Sequence, residues 1–201
     1  TTFAKQPSEA DTAAALARAQ EVRAEILAGA DFAEVARRES ADPGSAMRGG
    51  DLGTFGRGQM VPTFDEAVWS LPLNRVSEPV ASPFGFHLIE VQSRQGDDAS
   101  AWHILIPIEM SIPTDDALLE RADDLERLSL QTSLEEAARE LGLTVETTEL
   151  SSALSAVSEV GSLDEGLEWA FDEETEIDEL SPLFETPTGF YILELVSRTP
   201  E

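Results

Sequence analysis

Residues 49–64 read G-G-D-L-G-T-F-G-R-G-Q-M-V-P-T-F, and the rest of the chain is best understood outward from them. Glycines at 49, 50, 53, 56 and 58 are interspersed with a few large apolar residues, Leu52, Phe55, Met60 and Phe64. That mixture suits neither a regular helix nor an ordinary strand. Glycine lets the backbone take positive φ and lets segments approach closely, so the apolar side chains are expected to surround a small, shallow pocket.

Upstream, residues 11–28 carry Ala15, Leu16, Ala19, Val22, Ile26 and Leu27 at roughly three-and-four spacing, which predicts a helix stopped by Gly29. Asp31 reads as the N-cap of a second, short helix that ends near Glu39, with Glu34 approximating a capping box. Residues 40–45, S-A-D-P-G-S, are a turn-rich loop by composition. Downstream, residues 64–71 predict a helix ended by Pro72, and residues 76–80 and 85–91 predict short strands. Residues 95–100 are polar, contain Gly96 and read as a domain boundary. A new strand, W-H-I-L-I-P, follows at residues 102–107.

The stretch 49–64, with Phe84-Gly85-Phe86-His87-Leu88-Ile89 behind it, resembles the parvulin family of peptidyl-prolyl isomerases. In that family G-G-D-L-G, G-Q-M, a following Phe and a G-x-H-I/L-I strand form the signature. The resemblance implies an α+β fold, a four-stranded antiparallel sheet with helices around it. It also implies rotation of X-Pro bonds without nucleophile, metal or cofactor. By the same resemblance Leu52, Met60 and Phe64 form the proline pocket, with Gln59 making polar contacts beside it. Asp42 faces the carbonyl that precedes proline, and His87 and Ser82 are the hydrogen-bonded pair behind it. The alternative reading is a non-catalytic chaperone or peptide-binding module on the same scaffold.

The second half of the chain repeats the first. A helix is expected over residues 114–130, and L-E-E-A-A-R at 134–139 echoes F-A-E-V-A-R at 32–37. Setting residues 76–94 against 180–198 without a gap pairs identical residues at Ser77/Ser181, Pro83/Pro187, Gly85/Gly189, Phe86/Phe190, Glu90/Glu194, Ser93/Ser197 and Arg94/Arg198. Two tandem units follow as the expectation, residues 1–98 and 99–201. The second is expected to be degenerate, because Tyr191 stands where the first has His87 and a Ser-rich link follows Leu150 in place of the glycine-rich stretch. Counting back from the first helix puts that unit's opening strand, with its family histidine, at or before Thr1. Residues 101–108 are therefore expected to be shared, swapped or borrowed to complete the first sheet. His103 itself reads as a relic of the scaffold.

Composition narrows the partners. The formal charge is −27, from 40 acidic and 13 basic residues, with net −6 over residues 1–98 and −21 over 99–201. Nucleic acid is an improbable partner for such a surface, since phosphate binding needs clustered Lys and Arg. Only Arg48 and Arg57 lie near the pocket in sequence, which argues against recognition of phosphorylated Ser-Pro. The chain has no cysteine, which excludes a thiol mechanism and disulfides, and no apolar run of roughly 18 residues that would span a membrane. Tandem parvulin units resemble bacterial extracytoplasmic foldases, so unfolded or proline-containing polypeptide clients and a periplasmic or cell-surface place are the expectation.

Overall fold

The computed structural model describes residues 1–151, 156–157 and 160–198. In chain order the elements are β1 (Thr2–Ala4), α1 (Glu9–Leu27), α2 (Phe32–Glu39), α3 (Pro43–Ala46), β2 (Asp51–Gly56), α4 (Pro62–Ser70), β3 (Val80–Ser82), β4 (Gly85–Gln95) and β5 (Asp98–Ile106), then α5 (Ile112–Ser129), α6 (Leu134–Glu140), β6 (Ala156–Val157), β7 (Gly161–Ser162), α7 (Asp164–Phe171), β8 (Phe184–Thr186) and β9 (Gly189–Tyr191). They form two compact units, one of Pro7–Met110 and one of Thr1–Gln6 with Ser111–Glu201. The expected boundary at residues 95–100 is instead a hairpin turn, with Gly96 at φ 61° between β4 and β5. Part of the Ser-rich link expected after Leu150 lies outside the described residues.

In the unit Pro7–Met110 the sheet order is β2-β5-β4-β3, all antiparallel. Strand β5 is central, so both β2 and β4 hydrogen-bond to it; without it β2 has no partner in the sheet. The period of two along β4 and β5 divides their side chains between two layers. Phe86, Leu88, Ile104 and Ile106 pack against Ala15, Ala19, Val22, Phe32 and Val35 of α1 and α2. Ile89, Val91, Ala99 and Ala101 pack on the opposite face with Phe55, Phe64 and Val68. His87 and His103 share this second face.

Local signals explain the helices. Ser8 caps α1 with a reciprocal capping box to Asp11, and Asp31 accepts from Glu34 N–H at the start of α2. Two expectations need correction. The loop 40–45 contains α3, for which Asp42 is the N-cap, its Oδ1 accepting from Gly44 N–H at 3.0 Å, with Pro43 in the first turn. The glycine-rich stretch holds a strand, β2, though not a regular one: its register breaks between Asp51 and Thr54, with Gly53 at φ 72°. Its pairing to β5 offsets the low strand propensity of its glycines.

In the other unit β1, β9 and β8 form a three-stranded sheet in that order, and β6 pairs with β7. Among the described residues this sheet has three strands, where about four were expected. Phe3 packs with Leu125, Leu134, Phe190 and Ile192, and Lys5 is ion-paired with Glu185 beneath the Phe190 ring. The registers of the two units correspond. Ile104 stands opposite Leu88 on β4, and Thr1 exchanges hydrogen bonds with Ile192, its counterpart in the repeat. Ser77 and Ser181 each bridge to the same strand position, donating N–H to Ile89 O or Leu193 O and accepting from the same residue's N–H. Asn74 and Asp178 both sit at positive φ, and their N–H groups reach Val91 O and Leu195 O.

The strand that precedes α1 therefore folds with the later unit, and the strand that precedes α5 folds with the earlier one. Both strands lie seven residues ahead of their helix caps, Thr1 before Ser8 and Ile104 before Ser111. Each unit takes in the strand that precedes the other unit's first helix.

Candidate active site

The second face of the β4/β5 pair carries a continuous polar chain. Ser82 Oγ lies 2.7 Å from His87 Nε2, His87 Nδ1 lies 3.2 Å from His103 Nδ1, and His103 Nε2 lies 2.8 Å from Asp42 Oδ2. The imidazoles stack at 16°, with centroids 5.4 Å apart. His87 pairs across the ladder with Leu105 and His103 with Ile89, so the histidines are diagonal neighbours on one face. Ser45 Oγ closes the far end, 2.5 Å from Asp42 Oδ2 and 2.9 Å from His103 Nε2.

Several backbone contacts hold these groups in place. The loop after α2 is fastened to β5 by Ala41 N–H to Leu105 O at 2.8 Å and Leu105 N–H to Ser40 Oγ at 3.1 Å, which sets Asp42 beside His103. Gly50, at φ +87°, accepts from His103 N–H at 2.8 Å. A Cβ there would stand 2.5 Å from His103 O, so only glycine brings this loop against the histidine.

Burial raises the Asp42 carboxyl, but the Ser45 and His103 hydrogen bonds and the Gly44 N–H outweigh it and hold the group at about 2. Burial, then the neighbouring His103, lower His87 to about 4, with Asp42 opposing. At neutral pH Asp42 is thus ionised and His87 is neutral. An ionised Asp42 accepts, which makes His103 Nε2 a donor. The chain then runs in one direction if His103 Nδ1 accepts from His87 Nδ1–H and His87 Nε2 accepts from the Ser82 hydroxyl. Every member is satisfied in this single direction.

The apolar part of the site stands against this chain. Phe64 presents its ring to both histidines edge-on, at centroid distances of 5.2 Å to His87 and 5.7 Å to His103. Leu52 and Met60 are half-buried and pack with Phe64, Phe55 and Val80 in one cluster. The structure thus brings Asp42, Ser82, His87, Leu52, Met60 and Phe64 together. Gln59 is exposed, and its Oε1 accepts from Gly56 N–H at 3.0 Å, closing the tight turn ahead of Met60. Sequence reasoning missed two members, His103, which read as a scaffold relic, and Ser45. The H-I-L strand was the signal for His103; nothing in D-P-G-S announced that Ser45 would reach an imidazole.

An antiparallel sheet flanked by helices is the architecture that the signature implied. Residues 2–93 match the family described as rotamase, PPIC-type PPIASE domain. Over these residues, just under half of its length, the chain is similar to the parvulin-type peptidyl-prolyl isomerases. The match begins at β1, which folds in the other unit, and stops before β5, which carries His103.

Among curated relatives, the chain is 45% identical over 105 residues to the chaperone SurA of Chromobacterium violaceum, covering 52% of this chain and 24% of that protein. To the foldase protein PrsA of Geobacillus kaustophilus it is 47% identical over 77 residues, 38% of this chain and 27% of the relative. The chain thus spans about a quarter of the length of these relatives. A solved structure of the peptidylprolyl isomerase PrsA from Bacillus anthracis aligns with a TM-score of 0.36 at 23% identity, covering 66% of this chain and 57% of that one.

Proposed function

We propose that the unit Pro7–Met110 is a peptidyl-prolyl cis–trans isomerase acting on X-Pro bonds of unfolded polypeptide, and that the chain serves as a foldase outside the cytoplasm. The observation that carries this is Phe64 standing edge-on to two stacked histidines whose hydrogen-bond chain ends at an ionised carboxylate. Rotation about a peptide bond meets a barrier of roughly 18–20 kcal/mol, and each tenfold acceleration requires about 1.4 kcal/mol of preference for the twisted state.

Leu52, Met60 and Phe64 grip the pyrrolidine ring and exclude water from the amide. Resonance places partial negative charge on the amide oxygen, and that charge falls as the bond twists. A carboxylate facing the oxygen disfavours the planar form more than the twisted one, which is differential binding of the transition state. Asp42 takes this role, kept ionised by Ser45 and His103. His87 and Ser82 are positioning residues, holding His103 in the tautomer that donates to Asp42. Gln59 stands at the rim for polar contact with the client backbone. No bond is made or broken, so no cofactor enters the scheme. The SurA and PrsA names of the relatives, a chaperone and a foldase, support polypeptide clients and an extracytoplasmic place.

The test is NMR exchange spectroscopy on a short Ala-Pro peptide with the 201-residue chain and its Phe64→Ala variant. Faster cis–trans exchange with the parent and not with the variant is the expected result. Equal, uncatalysed exchange with both would overturn the reading.

A further inference from the structure

The unit of Thr1–Gln6 with Ser111–Glu201 holds a cavity of about 450 Å³ where β7, the start of α7 and the β8–β9 hairpin meet. That volume lies in the range of small-ligand sites, roughly 300–1,000 Å³. Its position in the repeat is that of the isomerase pocket. Tyr191 holds the place of His87 and Thr186 that of Ser82, while Leu163-Asp164-Glu165 echoes Phe64-Asp65-Glu66 at the head of the helix. The packing agrees, since Leu163, Val160 and Tyr191 form one buried cluster, as Phe64 packs on His87 in the other unit.

The polar ends are wired differently. Thr186 Oγ1 donates to Val160 O at 2.6 Å and accepts from Gly189 N–H at 3.0 Å, so it serves the hairpin backbone. Tyr191 is buried, and its hydroxyl accepts from Gly166 N–H at 3.0 Å, leaving its own O–H to donate. Burial raises the phenol, with Glu165 and Asp164 adding in the same direction, so this O–H stays protonated. No carboxylate–histidine chain is recorded here among the described residues.

Charge selects the occupant. Glu185 on the rim is already ion-paired with Lys5. Asp164 and Glu165 also line the cavity, are exposed, and have no cationic partner among the described residues. Their field reaches Tyr191. A ligand that fits both the floor and the rim joins an apolar group to a positive charge.

We propose that this cavity is a holding site for an extended segment of polypeptide, seating an apolar side chain beside Pro187, above the buried Tyr191 ring, and a neighbouring Lys or Arg against Asp164 and Glu165. The inference rests on the proposed function only for the source of the segment, an unfolded client. It requires no isomerisation at this site.

Tyr191 is the only tyrosine in the chain, so ring-labelled tyrosine gives an NMR signal confined to the cavity. The probes are the proline-free peptides acetyl-Ala-Lys-Leu-Ala-amide and acetyl-Ala-Glu-Leu-Ala-amide, titrated into the 201-residue chain. The expected result is a saturable shift with the Lys peptide, weakened by added salt, and no shift with the Glu peptide at equal concentration. Asp164→Asn with Glu165→Gln should weaken the Lys peptide about tenfold. A signal that stays still with the Lys peptide, or that both peptides move alike, overturns the site. The parent titrations decide this even where the double variant misfolds. Because neither peptide contains proline, failure of the isomerase reading leaves this result intact, and the converse holds.

Discussion

The hairpins Ser82–His87 and Thr186–Tyr191 share a backbone and differ in what their side chains are wired to. In both, the hydroxyl residue at the turn approaches the carbonyl three positions on, Ser82 to Gly85 and Thr186 to Gly189. In both, a buried serine on the preceding segment ties down the following strand. Ser82, however, also reaches His87, and His87 reaches His103 and through it Asp42. Tyr191 reaches a backbone N–H and stops. The comparison teaches that one hairpin scaffold can carry two kinds of wiring, and that the proposed chemistry draws on a histidine of the central strand and a carboxylate beside it.

The largest effect expected is at Phe64. Its replacement by Ala removes a buried ring from the cluster and should cost about 3–5 kcal/mol in chemical denaturation of its unit, with loss of prolyl exchange catalysis. Leu163→Ala, its counterpart, should cost about 2–5 kcal/mol and act on the other unit; a loss of exchange catalysis as complete as that of Phe64→Ala would break the comparison.

Next comes the strand histidine. His103→Ala leaves Asp42 and His87 without their shared partner, and misplacement of the carboxylate should lower the exchange rate about a hundredfold. Titration of Asp42 by NMR should show its carboxyl rising from about 2 toward the ordinary value of 3.8. An unchanged Asp42 would mean that the wiring is not what holds it.

Acid should separate the two units as well. His87 falls from 6.5 unfolded to about 4 folded, so it binds more protons when unfolded, and the stability of its neutral form is lost as pH drops from 6.5 through 4. Asp42, lowered from 3.8 to about 2, stabilises above 3.8 and loses that contribution as pH falls through 2. Denaturant midpoints followed by signals from each unit should diverge between pH 7 and pH 4, the unit with His87 weakening first. A His87→Phe variant should flatten its share of that slope.

The smallest effects are on the Tyr191 side. Tyr191→Phe removes one hydrogen bond to Gly166 N–H and should cost about 1 kcal/mol. Tyr191→His in a Phe64→Ala background should restore no exchange catalysis. Any catalysis there would show that an imidazole alone suffices.

Much of the isomerase pocket was legible because its residues are contiguous in motifs: Leu52, Met60 and Phe64 lie within the glycine-rich stretch, and Ser82 and His87 flank one hairpin. Local signals also announced α1 through its apolar spacing and Gly29, and α2 through Asp31 and Glu34. What escaped was non-local. Residues 95–100 look like a linker, and their polar, glycine-containing composition is equally that of a hairpin turn. Residues 101–108 were expected to complete the first sheet, and β5 does pair there with β2 and β4; the destination of β1 escaped, because its partner β9 lies far along the chain. The strand β2 was illegible for a related reason, since its glycines disfavour strand in isolation and β5 overrides them.

The placement of β1 and β5 also fixes an order of events during synthesis. The sheet of the isomerase unit closes only once β5, residues 98–106, is available, so a chain ending at the apparent linker holds Asp42 and His87 without His103 between them. The longest wait falls to β1: Thr1 bonds Ile192, 191 positions later. Contacts of such long sequence separation slow folding because loop closure precedes their reward. The isomerase unit, Pro7–Met110, is therefore expected to assemble first, while β1 remains an unpaired strand until the C-terminal hairpin arrives to receive it.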